Sequence, residues 1–204
     1  MLKLRKIKFL KFLTLCVILS SQLSACIIPG VMAEEQPKYG GTLVYIVSAE
    51  LTTLNPIVTW SAQVHFAVLP VLYNALVSHD AAYKPVPELA ESWKISEDYK
   101  TFTFNLVKDA TWHDGEPFTS ADVKFSLEAC YEIHPKGKSN FWSVVSIETP
   151  DDYTVVVNHD TPRPDYMGLL TRVYAAMLPK HIFEGTDIAE NPHSTGEKPP
   201  IGTG

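Results

Sequence analysis

Residues 101–128 read TFTFNLVKDATWHDGEPFTSADVKFSLE, a strand, a turn and a helix start in that order. Phe102, Phe104 and Leu106 alternate with Thr101, Thr103 and Asn105, which is the two-residue period of a strand with one face buried. Asp114-Gly115 is a turn signal. Glu116 precedes Pro117, and a residue before proline avoids helical backbone. Thr119 is a natural helix N-cap. Asp122, three residues on, completes a capping-box-like pattern and suits the positive end of the helix dipole. Apolar spacing then predicts a helix from about 120 to 131, with Val123, Leu127, Cys130 and Tyr131 on one face.

Working outward, 92–107 reads as a hairpin that places Trp93 in its first strand and turns at Glu97-Asp98. A second hairpin is expected at 144–158, with Pro150-Asp151-Asp152 turning between VVSIET and YTVVVN. Residues 61–77 show helical spacing at Val64, Val68, Leu72 and Leu76, and Pro70 is expected to kink or split that helix. His65 and Tyr73 lie near its stripe, where a histidine is usually packed and hydrogen-bonded. GGTLVYIVSAE at 40–50 is an apolar, β-branched run without alternation, as in a strand buried on both faces. Asn55-Pro56 marks a turn.

The chain has 204 residues, 46% of them hydrophobic, so disorder is not expected. Its 15 prolines favour turns and extended segments over a helical bundle. Charge is unevenly placed. The first 25 residues carry Lys3, Arg5, Lys6, Lys8 and Lys11 and no acid, leaving 12 basic against 23 acidic residues downstream, a net of −11. Such a body is a poor partner for nucleic acid or anionic lipid.

Behind the basic start comes FLTLCVIL at 12–19, then SSQ and LSAC at 23–26. The apolar run is too short to span a bilayer and reads as a signal peptide over 1–25. LSAC resembles the lipobox of bacterial lipoproteins, which implies lipidation of Cys26; the alternative is ordinary cleavage after Ala33. Residues 26–38 follow as a tether. With Cys16 removed and Cys26 lipidated, Cys130 is left without a disulfide partner and reads as a small core residue.

His113, Asp114 and Glu116 form the one stretch that suggests hydrolytic or metal chemistry. The histidines nearest to it in sequence are His79 and His134, far from metal-ligand spacing. H-E-x-x-H, G-x-S-x-G and G-x-x-x-x-G-K-[ST] do not occur. The expectation is therefore a turn and a cap, with no catalytic residues, metal or cofactor. An extracytoplasmic metal-dependent hydrolase using these three residues stands as the alternative.

ATWHDGEPFTSADVKFSLE at 110–128 resembles the signature of bacterial extracellular solute-binding proteins of the peptide/nickel class, which serve ABC importers. The residues carrying it are Trp112, Asp114, Gly115, Pro117, Phe118, Thr119, Asp122 and Val123. Further blocks follow in family order: 40–56, LYNALVSHD at 72–80, 87–106, LPKHIF at 178–183 and PIGTG at 200–204. The family pattern continues to Gly-Thr-Gly-Pro-Tyr, so the resemblance implies an N-terminal fragment.

The resemblance implies an α/β (mixed α+β) fold, namely an incomplete periplasmic-binding-protein-like type II lobe with an added α+β subdomain. Residues 39–60 would supply the first strand and loop of lobe one, 61–190 the inserted subdomain, and 191–204 the start of the return. The implied function is capture of an oligopeptide or similar small solute for a membrane permease, by a monomer held to the membrane through its lipid, without nucleic acid. A truncated lipoprotein that binds nothing is the other alternative. Glu50 follows the first strand, where α/β sheets place ligand-contacting loops. In relatives that resemble SAELTTLNP its position faces the ligand, so Glu50, Leu51 and Thr52 are the candidate binding residues; a solvated loop acid is the plain reading of Glu50. A lone strand at 41–48 would offer unpaired edges, so 39–60 and 191–204 are expected to be loosely held and 61–190 firm.

Overall fold

The structure, a computed structural model, describes Val44 and residues 46–203. The signal segment, Cys26 and the tether lie outside the described residues, as do 40–43 and Tyr45 of the first expected strand. The rest of that strand departs from expectation. Residues 46–50 form no strand, and Val44 and Ile46 are 83% and 91% exposed. Strand geometry is held by neighbours, and none pairs with this run among the described residues.

The chain next makes a single 3-10 turn at Pro56–Val58 and two short helices, α1 (Ala62–Ala67) and α2 (Leu69–Leu72). They break at Val68. Pro70 sits in the first turn of α2, where its missing N–H costs nothing, so the proline splits the helix as expected. The helix does not continue to residue 77. Instead, the Ala75 and Leu76 carbonyls accept the amides of Leu89 (3.1 Å) and Ala90 (2.9 Å), which draws the segment out straight. β1 (Val77–His79) then pairs antiparallel with β2 (Pro85–Pro87).

The main sheet contains β3 (Ala90–Ile95), β4 (Thr101–Leu106), β5 (Val144–Asp151) and β6 (Thr154–His159), antiparallel in the order β3-β4-β6-β5. Both expected hairpins are present. Phe102, Phe104 and Leu106 are fully buried, and Phe102 and Phe104 stand opposite Val157 and Val155. Each such side chain contributes about 1.5–3 kcal/mol by leaving water. Over this face lies α3 (Ser120–Ile133), which buries Val123, Leu127 and Cys130. Burial pushes the Cys130 thiol up to about 12, so it is an inert core residue.

The start of α3 is fastened three ways. The Thr119 amide donates to Asp122 Oδ2 at 2.9 Å, the reach-back of a capping box. Asp122 Oδ1 accepts the Lys180 amide at 2.9 Å, which docks α7 (Lys180–Phe183). The Ser120 amide and hydroxyl donate to the carbonyls of Asp152 (2.8 Å) and Asp151 (2.6 Å) at the β5–β6 turn. The remaining short helices are α4 (Gly137–Asn140), α5 (Tyr166–Leu169), α6 (Arg172–Ala175) and α8 (Pro192–Thr195).

Candidate functional site

Two stretches of chain meet at one edge of this unit, and an Asn-Pro pair organises each. The Asn55 side chain accepts the Ile57 amide at 3.1 Å and caps the 3-10 turn that Pro56 begins. The Asn191 side chain accepts the His193 amide at 3.0 Å and caps α8, which begins at Pro192. Asparagine fits because its short carbonyl reaches the second amide onward, and proline because the first helical position needs no N–H.

The stretches are tied to each other. The Leu54 amide and Thr53 hydroxyl both donate to the Ser194 carbonyl, at 2.8 and 3.0 Å. The Asn55 side-chain amide donates to Ser194 Oγ at 3.0 Å, and that hydroxyl donates to the Ile188 carbonyl at 2.6 Å. Asn55 and Ser194 are both fully buried.

Glu50, Leu51 and Thr52 form the loop just before this tie. Glu50 and Thr52 are exposed, while Leu51 is half-buried against the core. Beside the loop, Ile46, Val47, Ser48, Ala62, Gln63, Phe66 and Ala67 line an open groove of about 410 Å³. The loop thus stands free at a surface with a mostly apolar wall. The described residues bring no second charged group against Glu50.

The stretch 111–118 is a closed turn. Thr111 bridges to Pro117, the Trp112 amide donates to the Glu116 carbonyl at 2.8 Å, and Gly115 takes a positive φ of 93°. His113 and Asp114 face different partners. The His113 amide donates to the Gly202 carbonyl at 2.9 Å, and His113 Nδ1 accepts the Gly202 amide at 3.1 Å. Asp114 Oδ2 instead meets His181 Nε2 at 2.7 Å. Burial opposes the charge on Asp114, but the His181 hydrogen bond, the Glu116 amide and the His181 charge together hold its carboxyl below the usual range. His113, Asp114 and Glu116 therefore do not converge on one point as a hydrolytic site requires. Among the described residues no group of three or more His, Cys, Asp or Glu is placed to hold a metal.

Gly202 is thus held at both its amide and its carbonyl by His113. A Cβ on Gly202 would run into the Leu72 carbonyl, so only glycine lets the chain pass between Leu72 and His113.

Sequence reasoning missed one cluster. Trp60 stacks on Tyr174 with centroids 5.4 Å apart and meets His65 and His134 edge-on at 5.2 and 5.6 Å. Burial lowers the His134 pKa to about 4, and the nearby His65 adds to the effect. Burial also lowers His65, partly offset by its hydrogen bond to the Pro56 carbonyl. His134 Nδ1 accepts the Lys136 amide at 3.0 Å, so the neutral ring carries its proton on Nε2 and offers no lone pair there to a metal. Only the expectation that His65 is packed pointed toward this cluster.

Residues 84–204 match the family model described as bacterial extracellular solute-binding proteins, family 5 Middle. A putative ABC transporter peptide-binding protein of Brucella ovis is 38% identical over 149 residues, which is 68% of this chain and 27% of that protein. The chain thus spans about a quarter to a third of the length of the curated relatives it matches. Campylobacter jejuni NikZ, solved in complex with Ni(L-His), superposes with a TM-score of 0.64 at 31% identity, over 78% of this chain and 31% of that one. Bacillus subtilis AppA, an oligopeptide-binding protein solved with a nonapeptide, gives 0.67 at 27% identity, over 76% and 31%. The mixed α+β fold is therefore that of the type II periplasmic binding proteins.

Proposed function

The chain belongs to the family 5 bacterial extracellular solute-binding proteins, and we propose that it is an extracytoplasmic solute-binding lipoprotein of an ABC importer. Its work is to capture an oligopeptide or similar small solute and hand it to a membrane permease. No bond of the solute is made or broken. Residues 1–25 direct export, Cys26 carries the lipid and 26–38 tether the body. Residues 39–60 open lobe one, 61–190 form the inserted subdomain and 191–204 begin the return.

The observation that carries this reading is the tie between the two stretches at Asn55 and Ser194. It fixes residues 53–55, directly beyond the Glu50–Thr52 loop, at an edge of the helix-and-sheet unit. That is where a second lobe closing over a solute needs a fixed wall. The Glu50 carboxylate would pair with a cationic group on the solute or on the opposite lobe.

Two measurements test the proposal. Mass spectrometry of the chain made in bacteria should find a lipidated Cys26 at the mature N-terminus; an unmodified Glu34 there would refute lipidation. Calorimetry with a peptide mixture should show weak or no binding by the 204-residue chain, because burying a ligand takes walls on two sides. In a full-length relative with the same loop, the Glu50→Ala change should weaken binding. Submicromolar binding by this chain would overturn the two-lobe requirement, and unchanged affinity in the relative would overturn the role of Glu50.

A further inference from the structure

A second groove lies away from the Glu50 loop, between the C-terminal half of α3 and strand β5. Its volume is about 230 Å³. The walls come from Leu127 and Tyr131 of α3, from Phe141, and from Val144 and Ile147 of β5. Tyr166 contributes to the floor. It is wholly buried, and its hydroxyl has no hydrogen-bond partner among the described residues.

Two features say what would fill the groove. The first is the backbone. β5 is the last strand of its sheet, so its outer edge is unpaired among the described residues. Register shifts lie between Val144 and Ser146 and between Glu148 and Asp151, where Pro150 also sits, which leaves 146–148 for pairing. Val145, at the first of these shifts, is 63% exposed. At the sheet's other edge, β3 shows exposed Glu91 and Lys94, charges that discourage pairing.

The second feature is charge. Glu128 and Glu132 stand on the helix side of the groove, and among the described residues no lysine or arginine lines it. Glu132 meets Lys138 at 3.6 Å, an exposed pair that a bound cation replaces at little cost.

We propose that this groove is a docking surface for an extended basic peptide segment, which adds to β5 as a further strand, lays an apolar side chain over Tyr166 and sets lysine or arginine against Glu128 and Glu132. Backbone pairing supplies the generic hold, as in other cases of strand addition. The alternation of a strand sends every second side chain to the helix side, and the acidic rim selects basic residues there. The site is independent of the solute loop.

The probe is the synthetic peptide acetyl-Lys-Thr-Phe-Thr-Lys-Thr-amide, whose two lysines and phenylalanine share one face of a strand, titrated into the isotope-labelled full chain and followed by amide chemical shifts. Saturable shifts are expected in 127–132 and 141–148. Affinity should fall about tenfold or more in the Glu128→Gln/Glu132→Gln double variant and in Val145→Lys, which places a repelling cation on the edge. The changed side chains are largely exposed, so the amide spectrum should show the fold intact. The counterpart acetyl-Glu-Thr-Phe-Thr-Glu-Thr-amide should not bind. Shifts centred on 48–55, equal binding of the two peptides, or variants that bind like the parent would each overturn the proposal.

Discussion

Asn55 and Ser194 stand 139 residues apart in sequence and share a buried hydrogen bond of 3.0 Å. Removing the Ser194 hydroxyl strands two buried groups, the Asn55 amide and the Ile188 carbonyl. The Ser194→Ala variant should lose about 1–3 kcal/mol in urea denaturation. The Asn55→Ala variant should lose more, because the cap on the 3-10 turn goes with it. The double variant should cost less than the sum, and strict additivity would show that the two residues act separately.

Asp122 divides its two oxygens between its own helix cap and the start of α7. The Asp122→Ala change should therefore cost about 2–4 kcal/mol, more than the roughly 1 kcal/mol of a simple cap. Asp122→Asn keeps one acceptor oxygen and should recover part of the loss. Equal melting temperatures for the two variants would rule out the double role.

Stability should depend on acid through two buried histidines. Burial lowers His134 to about 4, and burial together with the Arg163 charge does the same to His159. Unfolding restores an ordinary value near 6.5. Between these values the unfolded chain binds more protons, so stability falls as pH drops from about 6.5 toward 4. Denaturation across this range should show that slope, and the His134→Asn/His159→Asn double variant should flatten it. A variant as steep as the parent would assign the slope to other groups.

The Cys130 thiol should be unreachable in the native state. In a Cys16→Ser/Cys26→Ser background, a thiol reagent at pH 8 should leave Cys130 unlabelled until urea unfolds the chain. The causes are complete burial and a thiol pushed up to about 12. Rapid native labelling would mean that α3 lifts from the sheet.

The elements most legible in the sequence were those with a period. The alternation at 101–106, the spacing of Val123, Leu127 and Cys130, and the cap at Thr119 each encode local geometry, and each is found. Pro70 announced its break in the same local way. What stayed hidden was long-range and polar. The joins of Asn55 to Ser194, His113 to Gly202 and Asp122 to Lys180 bring together residues whose local pattern names no partner. A second Asn-Pro pair, at 191–192, was the one available hint of order in the last segment. The Glu50 loop was readable as a loop, but its role depends on what faces it, which no periodicity records. The run 46–50 failed as a strand because strand character there depends on neighbours rather than on its own apolar residues.

The Ser120 contacts to the Asp151 and Asp152 carbonyls carry a consequence for the order of events in folding. The β5–β6 hairpin closes within a short loop, a fast local event, whereas the helix start must wait for a turn made more than 30 residues later in the chain. The prediction is that the hairpin forms the seat before the helix start docks on it. A Ser120→Ala change should then speed unfolding while leaving the folding rate nearly unaltered. A matching slowdown in folding would place the helix in the nucleus instead.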